Sequence, residues 1–264
     1  MSLWRSAFQS LAVLAALAST ADASVVGLRG AIDVAVSPDG AHVYVVGKGD
    51  DAVSEWARDA ATGALAYLGR QLGNHQLGGS VPDFDRPEAI AISPDGKHVY
   101  IATSNSDPNT TPPTRTSVTT FARNAATGEL SYLDSILDGD GGASLQKPAG
   151  IAMSPDGASV YVTDFRLSSG GAVDVFSRDA GTGLLTVAQV IQHGSTVDGL
   201  DRAHFVALSP DGKSLYVTCH GTLGNDAAIA AYARDPQTAR SSSSIRSGTE
   251  SAASLGSLIP TLRA

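Results

Sequence analysis

The sequence predicts an all-β fold, a β-propeller of four-stranded meander blades, with about four blades present in an incomplete ring. Three observations carry this reading. The tetrapeptide Ser-Pro-Asp-Gly occurs four times, starting at Ser37, Ser93, Ser154 and Ser209. Each copy lies between two short runs rich in β-branched and aromatic residues. The copies are 56, 61 and 55 residues apart, slightly above the roughly 40–50 residues of common propeller repeats. A sandwich would also show short strands and Gly-rich turns, but it gives no reason for one turn to recur at a fixed period.

Upstream of each turn stand Val34-Ala35-Val36, Ile90-Ala91-Ile92, Ile151-Ala152-Met153 and Val206-Ala207-Leu208. In a strand the large residues share one face and the alanine takes the other, so the alanine face is expected to lie close against something bulky. Within the turn, Pro pre-sets φ, Gly supplies a left-handed residue, and the Ser hydroxyl is expected to accept an N–H two residues on. The second strand follows as Val43-Tyr44-Val45, Val99-Tyr100-Ile101, Val160-Tyr161-Val162 and Leu215-Tyr216-Val217. A third recurs around Trp56, Phe121, Phe176 and Tyr232, each followed two residues later by Arg58, Arg123, Arg178 or Arg234. The turns closed by Gly63, Gly128 and Gly183 then lead into a fourth strand in the first three units. The arginines stand beside turn aspartates, which predicts pairing, between blades or within a turn, with Asp39, Asp95, Asp156 and Asp211.

The units span about 30–80, 86–142, 147–200 and 202–238, the last without its fourth strand. Ala239 stands where the other units have Gly, and residues 239–264 form a Ser-rich tail without alternation, expected to be disordered. A break in the reading frame near Ala239 is one expectation that follows. Closing four blades into a ring would need residues 24–29 as an extra outer strand.

Pro148 followed by Ile151-Ala152-Met153-Ser154-Pro155-Asp156-Gly157 and Tyr161-Val162-Thr163 resembles the YVTN-type repeat. Phe176-Ser177-Arg178-Asp179 with Thr182-Gly183-Leu184-Leu185 resembles the lactonase-like seven-bladed propeller family, which includes one class of 6-phosphogluconolactonases and muconate cycloisomerases. The resemblance covers roughly residues 30–238 and implies a propeller fold and, by family, lactone hydrolysis. Its shared residues are turn and packing residues rather than catalytic groups.

Formal net charge is −8 and no basic run interrupts the chain, which argues against nucleic-acid binding. Residues 1–23 combine Arg5, an apolar stretch from Leu11 to Leu17 and Ala21-Asp22-Ala23, the pattern of a secretory signal too short to span a membrane. A periplasmic or secreted location is therefore expected. Cys219 is the single cysteine, so no internal disulfide forms, and it reads as a packing residue. The six histidines show no metal-ligand spacing, and Asp138-Gly139-Asp140-Gly141-Gly142 lacks the remaining ligands of a calcium loop, so neither a metal nor a cofactor is expected.

The Ser-Pro-Asp-Gly turns and the Thr-Gly turns share one end of the disc, which leaves the variable loops at the other. There Arg86, Lys147 and Arg202 precede the turn serine by seven residues, with Arg29 one place earlier, and Glu88 and His204 follow two residues after their arginines. A cationic collar suits a small anionic ligand. His204 or Glu88 would serve as general base on water attacking a lactone, with an arginine on the oxyanion. The same basic residues could instead pair with Asp83, Asp85 or Asp201. Two functions follow: an exported binding or scaffold propeller that takes a small anion or another protein, and a lactone hydrolase. The oligomeric state is not set by the repeat.

Overall fold

A computed structural model describes residues 27–104, 115–165, 170–194, 200–220 and 228–235 and the backbone of 241–247. Among the described residues sixteen strands form four antiparallel sheets of four, each in sequence order. Blade 1 holds β1 (Ala31–Val36), β2 (His42–Gly47), β3 (Ala52–Arg58) and β4 (Leu65–Leu72). Blade 2 holds β5 (Pro87–Ile92), β6 (His98–Thr103), β7 (Ser117–Arg123) and β8 (Leu130–Leu137). Blade 3 holds β9 (Pro148–Met153), β10 (Ser159–Asp164), β11 (Ala172–Arg178) and β12 (Leu185–Gln192). Blade 4 holds β13 (Ala203–Leu208), β14 (Ser214–Cys219), β15 (Ala228–Arg234) and β16 (Ser241–Ser247). The innermost strands β1, β5, β9 and β13 pack side by side in that order, and the described residues do not close a ring.

β16 is a difference from the sequence reading, which gives the fourth unit no last strand. Its backbone runs antiparallel to β15 from Ile229↔Ser247 to Arg234↔Ser241. Pairing is a main-chain property, so an open strand edge can take a serine run that has no apolar alternation. The leader at 1–23, Ala239 and residues 248–264 lie outside the described residues. Among the described residues no helix is long and apolar enough to cross a membrane.

The large-small-large pattern is explained by register. Ala35, Ala91, Ala152 and Ala207 sit directly opposite Tyr44, Tyr100, Tyr161 and Tyr216, so the small side chain leaves room for the ring across the ladder. The turn also departs in detail from expectation. Ser37 Oγ donates to Asp39 at 2.5 Å and accepts the N–H of His42, five residues on rather than two, at 3.0 Å. Gly40 closes the turn onto the Ser37 carbonyl at 2.8 Å with φ +68°.

The core lies between blades rather than within them. Tyr44, Ile90, Ile101 and Phe121 fill the first joint, Tyr100, Val160, Val162 and Phe176 the second, and Tyr161, Val175, Leu215 and Tyr232 the third. Each such side chain contributes roughly 1.5–3 kcal/mol by leaving water.

At every joint a buried arginine fastens two blades, the interblade form of the predicted pairing, each reaching the aspartate of the preceding blade. Arg123 Nη2 meets Asp39 at 2.8 Å, Arg178 Nη2 meets Asp95 at 2.8 Å and Arg234 Nη1 meets Asp156 at 2.8 Å. Each arginine also donates Nε to the preceding blade's tyrosine, Tyr44 at 2.9 Å, Tyr100 at 2.8 Å and Tyr161 at 2.8 Å. Nη1 reaches its own turn glycine carbonyl, Gly96, Gly157 or Gly212. The Tyr44 and Tyr100 hydroxyls donate onward to the Gly128 and Gly183 carbonyls at 2.7 and 2.8 Å. His42 and His98 accept from the arginines through Nδ1, and burial followed by the adjacent guanidinium holds both imidazoles neutral-favouring, below their ordinary range. Arg58, the first of the four, reaches the Gly40 carbonyl at 3.1 Å and forms no ion pair among the described residues.

Candidate functional site

The innermost strands begin with a recurrent irregularity. Register slips between Ala31 and Asp33, Pro87 and Ala89, and Ala203 and Phe205, and between Thr163 and Asp164 opposite Pro148 and Gly150. The extra residue is Ile32, Glu88, Ala149 or His204, so Glu88 and His204 occupy one structural position in different blades. A bulge breaks the ladder and re-aims its side chain, which suits a rim position. Two residues earlier stand Gly30, Arg86, Lys147 and Arg202. Gly30, Arg86 and Arg202 take φ of +65°, +48° and +54°, a left-handed conformation that costs an arginine on the order of 1 kcal/mol or more.

The carbonyls of Gly30, Arg86, Lys147 and Arg202 accept the N–H of Lys48, Ser104, Phe165 and His220 respectively. These four partners, missed by the sequence reading, each lie four residues after the repeat tyrosine, a signal visible once the blades are aligned. They meet the bulge residues. Lys48 Nζ forms an ion pair with Glu88 from the neighbouring blade, and Ser104 Oγ donates to Glu88 at 2.5 Å. The His204 ring lies 4.7 Å from His220, 5.8 Å from Phe165 and 4.1 Å from Phe205. Lys147 Nζ sits 5.1 Å over the Phe165 ring. Thr163 Oγ1 pins the His204 carbonyl at 2.5 Å.

The structure thus brings His204 together with Lys147 through Phe165, and Glu88 with Lys48. Among the described residues Arg86 and Arg202 form no ion pair with Asp83 or Asp201, and their Nε atoms are buried without a partner, as is His204 Nδ1. Arg29 donates Nε to the Gly49 carbonyl at 2.7 Å and pairs with Asp50. Burial and the neighbouring His220 hold His204 below its ordinary 6.5, against a pull from Glu88. Its imidazole is therefore neutral at pH 7 and able to take a proton. Cys219 is buried, and burial pushes its thiol up to about 12, so no thiolate forms there near neutrality.

Asp51, His75 and Asp85 bring one donor atom each within 4.8 Å of one another. Asp51 already accepts the Arg86 N–H at 2.8 Å and Gln76 Nε2 at 2.6 Å, and lies 3.0 Å from His75 Nε2. Burial raises Asp51, yet these bonds outweigh it and hold the carboxylate below its ordinary range. The cluster works as a clamp that sets the backbone of Arg86. Asp164 does the same for Lys147, accepting the N–H groups of Gln146 at 2.8 Å and Lys147 at 2.6 Å.

The model of the family described as lactonase, 7-bladed beta-propeller, matches residues 4–107 and 71–249 in two overlapping stretches. The chain belongs to this family. Among solved structures, a Bacteroides uniformis protein provisionally described as a 6-phosphogluconolactonase is 20% identical with a TM-score of 0.59, over 80% of this chain and 52% of its own. A protein from Lactobacillus plantarum is 21% identical with a TM-score of 0.59, over 82% of this chain and 54% of its own. Hydrazine synthase of Kuenenia stuttgartiensis, 21% identical with a TM-score of 0.56, covers 84% of this chain and 50% of its own. At these identities the likeness is one of fold. The chain spans about half the length of these relatives. No curated protein matches the chain in sequence.

Proposed function

We propose that this lactonase-family chain is an exported propeller that binds a small anionic molecule at the rim formed by Arg86, Glu88, Lys147, Arg202 and His204. The observation that carries the reading is the set of buried, partnerless polar atoms there: Arg86 Nε, Arg202 Nε and His204 Nδ1. Native proteins seldom leave such groups unsatisfied, and an oxyanion would fill the need. Export rests on the leader pattern at 1–23 and favours a non-phosphorylated sugar acid over a cytosolic sugar phosphate.

Gluconate is the probe. Arg202→Gly is expected to weaken its binding at least tenfold in calorimetry, about the loss of one charge-assisted hydrogen bond. Thermal stability should not fall, because Gly relieves the positive φ. Equal affinity in the variant would remove Arg202 from the site.

A second reading, hydrolysis of a lactone, is favoured by His204, a neutral imidazole within electrostatic reach of the Glu88 carboxylate. A general base works only when deprotonated. With its proton affinity lowered, kcat/KM on glucono-lactone should fall on the acid side with its half-maximal point below the ordinary 6.5 of an imidazole. His204→Ala should abolish turnover. A half-maximal point above 6.5, or full turnover in the variant, would count against His204 as the base.

A further inference from the structure

We propose that Asp51, His75 and Asp85 bind a divalent transition-metal ion in the loops of the first joint, beside the rim. Asp51 stands just before β3, His75 follows β4, and Asp85 precedes β5. Folding brings one donor atom from each within 4.8 Å of one another. Spacing along the chain hides the set, because its members come from three separate segments. All three are enclosed: Asp51 and Asp85 are 8% and 4% exposed, and the His75 side chain is 7% exposed. The site does not depend on what the rim binds.

The chemistry of the imidazole points to a cation. His75 Nε2 lies 3.0 Å from Asp51 Oδ2, while Nδ1 is buried without a hydrogen-bond partner. The point that a Cβ on Gly73 would take is 2.1 Å from the Phe84 carbonyl oxygen and 2.9 Å from His75 Nδ1, so that carbonyl lies near the Nδ1 edge of the ring. A neutral ring that donates its Nε2–H to Asp51 turns a bare Nδ1 lone pair toward the carbonyl, and lone pair faces lone pair. A metal on Nε2 reverses the tautomer. Nδ1 then carries the proton with a backbone carbonyl beside it, the usual outer partner of a metal-ligating histidine.

Charge leads to the same place. With the ring neutral, the two carboxylates of the cluster bring two negative charges into one buried space, and like charges held together there are costly. A proton on both ring nitrogens would cancel one of them; a dication cancels both. Gln76 Nε2 sits 2.6 Å from Asp51 Oδ2, and turning its amide over offers Oε1 as a fourth donor. One imidazole with carboxylate and amide oxygens suits Zn2+ or Mn2+, whereas Ca2+ takes oxygen ligands. Asp51 Oδ1 meanwhile holds the Arg86 N–H at 2.8 Å, so the ion would fix the point at which the second blade enters the rim.

Zinc uptake tests this directly. Titrating Zn2+ into the full chain after chelator treatment is expected to give one ion per chain. A zinc-edge anomalous map of the soaked crystal should show a peak about 2.0–2.1 Å from His75 Nε2. His75→Phe, which keeps a buried ring, and Asp85→Asn, which keeps the shape and an acceptor, are each expected to weaken uptake at least about tenfold. Asp51 is left intact because it also holds Arg86. Thermal unfolding in chelator separates a lost ligand from a lost fold: the variants should match the parent there and lack the upward shift that zinc gives it. Should a variant unfold, the anomalous peak of the parent still decides. No zinc uptake, a peak at the His204 and His220 pair instead of the loop cluster, or undiminished uptake in both variants would each overturn the site.

Discussion

Arg178→Met is expected to lower the free energy of unfolding by about 3 kcal/mol, read from denaturant midpoints at unchanged slope. The side chain is almost wholly buried and serves Asp95, the Tyr100 hydroxyl, the Gly157 carbonyl and His98 Nδ1 at once. Met keeps the apolar stem and removes every donor. The loss sits at the low end for a broken buried pair because Asp95 keeps 34% of its surface in water. A pH arm belongs to the same experiment. Burial raises the Asp95 carboxyl, but Ser93, Arg178 and the Lys97 N–H outweigh it and hold it at about 2 against an ordinary 3.8. Its contribution is present above pH 3.8 and is lost as pH falls toward 2. Arg178→Met should flatten part of that acid-side slope, and an unchanged slope with unchanged midpoint would show that the joint does not depend on the arginine.

Gly183→Ala is expected to cost about 2–5 kcal/mol, the left-handed penalty of 1–2 together with 1–3 for overpacking. Gly183 holds φ +81°, and an added Cβ would lie 2.2 Å from the His98 ring. That ring cannot swing aside freely, since its Nδ1 is held by Arg178 at 2.7 Å. Gly63→Ala is the matched control. It shares the positive φ, at +75°, but faces no preceding blade within its own chain, so only the first penalty of about 1–2 kcal/mol applies. Equal losses at the two positions would mean that backbone conformation alone, and not contact between blades, requires the glycine.

The blade was legible because its periodic residues are local: a turn serine bonding its own aspartate, a proline and glycine that set φ, an alanine opposite a tyrosine one hairpin away. What joins blades was only half legible. Arg123 and Asp39 could be matched as types, but the partner lies 84 residues back, and no local pattern says which copy is the neighbour. β16 escaped because a serine run has no alternation, while its pairing uses the main chain. At the rim, Arg86, Lys147, Arg202, Glu88 and His204 could be singled out by offset from the turn. Their bulged and left-handed backbone could not, and neither could Lys48, Ser104, Phe165 and His220, which approach them from a different strand.

The most direct test of a rim-centred function is a crystal structure of the chain soaked with gluconate. The expected result is the carboxylate within hydrogen-bond distance of Arg202 or Arg86, with His204 facing the sugar. Gluconate bound instead at the Ser-Pro-Asp-Gly end, or absent from the rim at saturating concentration, would contradict it.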